Sequence, residues 1–208
     1  MYLFVRQARL TGLGSPAWAV KIGAAAAKAT GSDVTVWART MSPEFGTVVW
    51  TSFWEDLTTR EAAFQALVSD SDYISLVEEG QKFLTTGVDD TLHEIVYPGA
   101  NPGTDAKYVT SVRSACKNGN VIRGIATGVE IAQKAEAVSG HSTAFTANAT
   151  GQWGGVGWIT GYDSITAFET AQKKLNSDME WLQFVDGATN CYSEEASVTQ
   201  SVLYVRLS

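Results

Sequence analysis

The side chains best suited to acid–base chemistry are two histidines, His93 and His141. His93 lies in the segment 91–96, Thr-Leu-His-Glu-Ile-Val, which predicts a strand. Imidazole is the group that most often moves protons near neutral pH. His141 follows Gly140 in a Ser-Gly-His-Ser sequence that is typical of a turn. His93 is therefore the candidate catalytic residue, with a structural or solvated role as the alternative. Neither histidine has a cysteine or a second histidine at metal-ligand spacing, so the sequence predicts no metal site.

Aromatic residues supply the second candidate feature, because the chain has seven tryptophans among 208 residues. Indole rings together with a guanidinium can line a cleft for a flat apolar ligand. The alternative is that the rings only fill the core. The period of two in a strand would place Trp50, Ser52 and Trp54 on one face. We expect a ligand, if one binds, to lie between the helices and the sheet of the first half of the chain. The candidate ligand-binding residues are Phe4, Arg6, Trp37, Trp50 and Trp54.

Other chemical motifs are missing from the sequence. No Gly-x-Ser-x-Gly elbow is present, and the glycines at 154–157 lack the lysine and the following helix of a phosphate loop. The two cysteines, Cys116 and Cys191, are expected to be buried free thiols. No sequence feature calls for a cofactor, so none is predicted.

The composition of the chain limits the kinds of partner that the protein is expected to bind. The chain is 45% hydrophobic and 18% charged, which indicates a packed globular protein. A net charge of −7 and scattered basic residues argue against binding to nucleic acid. No apolar run reaches the length of about 20 residues that spans a bilayer, so membrane insertion is not expected. Residues 1–6 resemble the start of a strand and not a signal peptide, which predicts a cytoplasmic location.

The chain contains an internal repeat. Residues 46–58 recur as 154–166, with Trp50 matched to Trp158 and conservative pairs such as Trp54 and Tyr162. The repeated unit is too long for a solenoid and has the size of a small domain. Differences between the copies are the better guide to function, since symmetric residues can maintain the fold. His93 has Gln200 as its counterpart, which favours the first copy as the site.

Each copy predicts the same order of elements, β-α-β-β-α-β, with an extra short helix before the last strand. We predict one repeat over residues 1–97, a linker over 98–106 that is rich in proline and glycine, and a second repeat over 107–208. This order is that of the ferredoxin-like fold, an α+β class in which helices cover one face of an antiparallel sheet. Apolar residues occupy both faces of the predicted third strand, so the other face must be covered too, most economically by the second repeat's sheet.

In element order and two-faced strands the chain resembles the dimeric α+β barrel superfamily, with both ferredoxin-like halves fused in one chain as an intramolecular pseudo-dimer. It also resembles an uncharacterised bacterial group of tandem barrel proteins. The resemblance implies a small apolar or aromatic ligand, with activity such as that of a cofactor-independent monooxygenase. Haem chemistry is set aside because no predicted helix carries a histidine. The alternative is a non-catalytic protein that binds a small molecule or assembles with itself, and a homo-oligomer is left open.

Overall fold

The computed structural model describes residues 1–100, 105–188, 190–195 and 198–208. In these ranges it contains eight strands and six α-helices. The bounds are β1 Tyr2–Arg9, α1 Ser15–Thr30, β2 Thr35–Thr40, β3 Thr47–Trp54, α2 Leu57–Ser69, α3 Ser71–Gly80, β4 Asp89–Tyr97, β5 Tyr108–Ala115, α4 Val121–Ser139, β6 Thr143–Asn148, β7 Gly155–Tyr162, α5 Ile165–Ser177, α6 Met179–Ala188 and β8 Gln200–Arg206. A short 3-10 helix, Gln81–Phe83, follows α3.

The hydrogen-bonded order of the strands is β1-β3-β2-β8-β5-β7-β6-β4, and it closes as a barrel. Within each repeat the order is therefore fourth, first, third and second strand, which is that of the split βαβ arrangement. The predicted α+β barrel of two βαββαβ repeats is confirmed.

The chain divides into two compact units, one of residues 1–93 and 205–208 and one of residues 94–204. We call them unit 1 and unit 2. The boundaries between the two units fall inside β4 and β8 and not at the ends of the sequence repeats. The predicted repeat limits at 97 and 107 therefore stay a prediction. Residues 101–104 of the predicted linker lie outside the described residues.

The core of unit 1 lies between its strands and α1 and α3. Trp18, Ala19 and Ile22 of α1 pack against Val36 of β2 and Trp50 of β3. Helix α1 ends at a glycine in the left-handed conformation, Gly31 with φ 69°. Ser15 does not cap this helix, because its hydroxyl donates to the Gly12 carbonyl instead.

Unit 2 repeats this packing with different residues. Phe145 of β6 and Trp158 of β7 are buried against α4, and Tyr192 lies edge-on to the Trp158 ring. Cys116 and Cys191 are buried in this core as free thiols, as predicted. Burial is the main cause that raises the pKa of Cys116.

Candidate functional site

Unit 1 contains a cavity of about 440 Å³ between its sheet and its helices. The floor comes from β1 and β3, one side comes from α1, and α2 and α3 form the opening. Several residues at the opening are exposed although they are apolar, among them Phe64, Val68 and Ile74. The lining residues are Phe4, Arg6, Ala8, Trp18, Ile22, Ala26, Thr30, Val34, Trp50, Thr51, Ser52, Trp54, Arg60, Ala63, Phe64, Leu67, Val68, Tyr73, Ile74, Val77, Leu84, Val88 and Asp90.

Strand alternation places the residues of the floor. Phe4 and Arg6 line the cavity from β1, two positions apart, and Trp50, Ser52 and Trp54 do so from β3. The antiparallel register sets Arg6 directly opposite Trp50 and Phe4 opposite Ser52. The predicted shared face of Trp50, Ser52 and Trp54 is thus present in the structure.

The indoles of the cavity use their N–H groups within the protein. Trp18 Nε1 donates to the Leu76 carbonyl, and Trp50 Nε1 donates to the Ala19 carbonyl, each at 2.9 Å. Trp54 Nε1 donates to Ser52 Oγ, also at 2.9 Å. Because these donors are satisfied, the three rings offer a ligand apolar surface and not hydrogen bonds.

One polar cluster interrupts the apolar lining. Arg6 forms a two-pronged ion pair with Asp90, with Nε to Oδ1 at 2.8 Å and Nη2 to Oδ2 at 2.7 Å. Its Nη1 donates to the hydroxyl oxygen of buried Tyr73 at 3.0 Å. The hydrogen bond to Asp90 raises the pKa of Arg6, against the opposing effect of partial burial. Among the described residues, no group accepts the Tyr73 hydroxyl proton, so it is available to a ligand.

A second guanidinium lies at the opening. Arg60 of α2 places Cζ 4.5 Å from the ring centre of Phe4 and 5.5 Å from that of Phe64. Both distances are those of cation–π contacts. The side chain is half-buried and is part of the cavity lining.

Four of the six predicted site residues line this cavity, namely Phe4, Arg6, Trp50 and Trp54, and Trp37 and His93 do not. On β2 it is Val36 that packs under α1, so its neighbour Trp37 faces the other way, where its Nε1 donates to Thr51 Oγ1 at 3.0 Å. His93 lies three positions from Asp90, which puts it on the opposite face of β4. There its Nε2 is 3.0 Å from Thr91 Oγ1.

Tyr73, Asp90 and Arg60 were not identified as site residues from the sequence. Tyr73 lies on α3, and Asp90 lies just before the segment 91–96 that the sequence predicted to be a strand. A signal existed in the repeat, because Tyr73 is matched to Trp181, a conservative aromatic pair in which only the residue of the first copy has a hydroxyl group.

Comparison with solved structures shows the fold. A protein from Fusobacterium nucleatum described as a "Putative monooxygenase" superposes with a TM-score of 0.71 at 8% identity, over 100% of this chain and 92% of that chain. A "putative monooxygenase" from Lactobacillus acidophilus gives 0.68 at 10% identity, over 100% and 94%. An anthrone oxidase-like protein gives 0.70 at 11% identity, over 99% and 90%.

These similarities confirm the dimeric α+β barrel fold that the sequence suggested. No protein-family model matches the chain, and no curated protein matches it. In the described part of the chain, no helix has both the length and the apolar character needed to cross a bilayer. In the same residues, no group of three or more histidines, cysteines and carboxylates is arranged to hold a metal ion.

Proposed function

We propose that unit 1 binds a small, mainly apolar aromatic molecule in its cavity. The observation that carries this proposal is a mainly apolar space of about 440 Å³ whose lining includes the Tyr73 hydroxyl group, with no acceptor for its proton among the described residues. Ligand sites are usually of this kind, with a few polar groups that orient the ligand in an apolar cleft. A flat molecule would lie against the faces of Trp50 and Trp54 and direct an oxygen atom at Tyr73.

The polar cluster gives that oxygen a strong donor. Because the Tyr73 oxygen accepts a hydrogen bond from the Arg6 cation, its own O–H bond is polarised and donates more strongly. Asp90 fixes the Arg6 guanidinium with two hydrogen bonds. A ketone or phenol oxygen placed here would be stabilised most when it carries negative charge, as it does in an enolate or a phenolate.

This stabilisation favours monooxygenase-like chemistry, which in this cavity would proceed without a cofactor. Two structural neighbours are described as putative monooxygenases. A ligand that loses a C–H proton to solvent at the cavity opening becomes an enolate, which reacts with O2. For anthrone, the compound in the description of another neighbour, the balance is anthrone plus O2 giving anthraquinone plus water. One oxygen atom forms a second carbonyl group at the methylene carbon of anthrone, and the other leaves as water with the two hydrogens of that methylene.

A non-catalytic binding protein is the second candidate. It is favoured by the state of the ionisable groups in the cavity lining. Asp90 is already paired with Arg6, and His93 lies on the other face of β4, so the lining presents no carboxylate or imidazole poised to remove a proton. Such a protein would hold the same ligand and leave it unchanged.

Anthrone and O2 test the proposal directly. We expect the wild type to bind anthrone, measured by quenching of tryptophan fluorescence, and to consume O2 with formation of anthraquinone. Tyr73→Phe should lower kcat/KM roughly a hundredfold, because it removes the donor to the developing oxyanion. Tyr108→Phe, a tyrosine of unit 2 outside the cavity lining, is the matched control and should be silent.

The outcomes separate the two candidates. Binding without O2 uptake would contradict the catalytic proposal and support the binding protein. Native mass spectrometry of the purified protein adds an independent test, since a retained aromatic ligand would add its mass to the chain. The proposal is wrong if no ligand is retained and neither anthrone nor a general apolar probe binds in a manner that depends on the cavity residues.

A further inference from the structure

We propose that Arg60 is an anion anchor at the opening of the cavity, so that the ligand is an apolar aromatic molecule that carries one acidic group. The inference rests on the proposed function and names the class of ligand for the same site. A carboxylate, or a sulfonate used as its probe, would lie at the surface against Arg60. The ring system would extend inward over Trp50 and Trp54.

The positive charge of Arg60 is held in a fixed position. The Arg60 guanidinium lies over the ring of Phe4, which is part of the cavity floor, and also contacts Phe64 at the opening. One ring of β1 and one ring of the same helix, four residues along, therefore hold a side chain that is usually mobile. A planar guanidinium fixed in this way is pre-organised for two-pronged binding of an oxyanion.

The two guanidinium groups of the cavity lining differ in their counter-ions. The other guanidinium of the cavity, Arg6, is neutralised by Asp90. For Arg60, no carboxylate of the described residues lies within ion-pair distance. Asp56 lies one helical turn before Arg60 in the sequence. Its two carboxylate oxygens accept hydrogen bonds from the amide and the hydroxyl of Thr59. Arg60 therefore keeps its positive charge for a ligand, in a chain whose net charge is −7.

The interior of the cavity is less favourable for an anion than the opening at Arg60. Beyond Arg60 the lining is mainly apolar, and its polar groups are the hydroxyls of Thr30, Thr51 and Ser52 and the cluster around Tyr73, whose cation is already paired. An acidic group would lose hydration without compensation if it were buried among the indoles. At the opening it keeps part of its hydration and gains a cation, so the charged end of the ligand belongs there.

A matched pair of fluorescent probes tests the anchor. 8-Anilinonaphthalene-1-sulfonate and N-phenyl-1-naphthylamine share one aromatic body, and only the first carries an anion. Arg60→Met removes the charge and keeps an apolar stem against Phe4. We expect this variant to raise the Kd of the sulfonate about tenfold, as for loss of one charge-assisted contact, and to change that of the amine less than twofold. Arg60→Lys should restore part of the sulfonate affinity.

Arg123→Met is the control, since it makes the same change of charge on an exposed residue of α4 in unit 2. It should leave both probes unchanged. If Arg60→Met weakens neither probe, or weakens both equally, the anchor is wrong while the cavity site stands. If neither probe binds the wild type, the proposed function fails as well. Thermal unfolding of each variant shows whether it is folded, and added NaCl should weaken binding of the sulfonate only.

Discussion

The two units are built on the same framework around one tryptophan each. In unit 1, Trp50 donates to the Ala19 carbonyl of α1, and in unit 2, Trp158 donates to the Gly128 carbonyl of α4, both at 2.9 Å. The two tryptophans also occupy equivalent positions in the sheet, since Trp50 lies opposite Arg6 of the first strand of unit 1 and Trp158 lies opposite Val112 of the first strand of unit 2. The first and third strands are thus paired in the same register in both units.

The units differ in what surrounds this tryptophan. Arg6 and Tyr73 of unit 1 correspond to Val112 and Trp181 of unit 2, so the polar cluster of the cavity is replaced by apolar groups. Val112 and Trp181 pack against the core of unit 2. The duplicated fold is thus maintained by the shared tryptophan, whereas the polar groups of the candidate site, Arg6 and Tyr73, occur in only one copy.

The largest expected effect comes from giving unit 1 the residues of unit 2. The double variant Arg6→Val, Tyr73→Trp should weaken binding of N-phenyl-1-naphthylamine by at least about a hundredfold, because an indole would occupy the cavity and the polar cluster would be lost. Its thermal stability should change little, because the Asp90 carboxylate that loses its partner is exposed and can be hydrated, and the new side chains are apolar. Trp181→Tyr in unit 2 is the control. Undiminished binding in the double variant would show that the probe lies elsewhere.

A second prediction concerns the glycine beneath Phe145. A methyl group on Gly128 would lie 2.2 Å from the Phe145 ring, which is fully buried and cannot move away. Gly128→Ala should therefore cost about 2 kcal/mol in the free energy of unfolding, despite the better helix propensity of alanine. In unit 1, Ala19→Gly should also destabilise, by about 1 kcal/mol, because Ala19 is fully buried within α1 and glycine has the poorer helix propensity.

Urea unfolding measures both effects. The double variant Gly128→Ala, Phe145→Val reproduces the Ala19 and Val36 pair of unit 1. Its destabilisation should be smaller than the sum of the two single effects. Additive effects, or a Gly128→Ala protein as stable as the wild type, would show that the two residues do not compete for space.

A third prediction concerns a carboxylate that only unit 2 has. Glu136 of α4 accepts hydrogen bonds from the Tyr97 hydroxyl at 2.7 Å and from the Thr143 and Ala100 amides, each at 2.8 Å. Burial acts to raise the pKa of Glu136, but these hydrogen bonds outweigh it, and the net shift is downward. Glu136→Gln should lower the Tm by roughly 4 °C at pH 7, because it removes the charged acceptor.

The pH dependence has a definite sign. A lowered folded pKa means that the contribution of Glu136 is complete above the unfolded pKa of about 4.3 and is lost as the pH falls through the folded value. The difference in Tm between variant and wild type should therefore shrink toward pH 3. A difference that is constant with pH would contradict the role of the charge. Probe binding to unit 1 serves as the internal control.

The smallest expected effect is on the caps of two equivalent helices. The Asp56 carboxylate accepts from the Thr59 amide at the start of α2, and Ser164 Oγ accepts from the Ala167 amide at the start of α5. Asp56→Ala and Ser164→Ala should each lower the Tm by roughly 2 °C at pH 7. The hydrogen bond from the Thr59 amide lowers the pKa of Asp56. The effect of Asp56→Ala should thus fade in acid, below the unfolded pKa, while that of Ser164→Ala persists. Equal fading in both would be evidence against this explanation.

Local pattern in the sequence was sufficient for the elements and for part of the site. The repeat and the alternation of apolar residues predicted the strands and helices closely, because both depend on residues near one another in the chain. The shared face of Trp50, Ser52 and Trp54 follows from the period of two within one strand. Trp37 and Val36 were distinguished only by the register of β2 against β3, which sets Val36 opposite Trp50.

Only the tertiary structure decided which distant residues meet. Arg6 contacts Tyr73, 67 positions away, and Asp90, 84 positions away, through elements whose packing no local period encodes. The face of His93 depends on the register of β4, where a shift of one residue exchanges the two sides of the sheet. The sequence by itself thus determined the duplicated α+β fold and the aromatic character of unit 1. The tertiary structure brought Tyr73 and Asp90 to Arg6 and placed His93 away from them, because those positions depend on contacts between elements far apart in the chain.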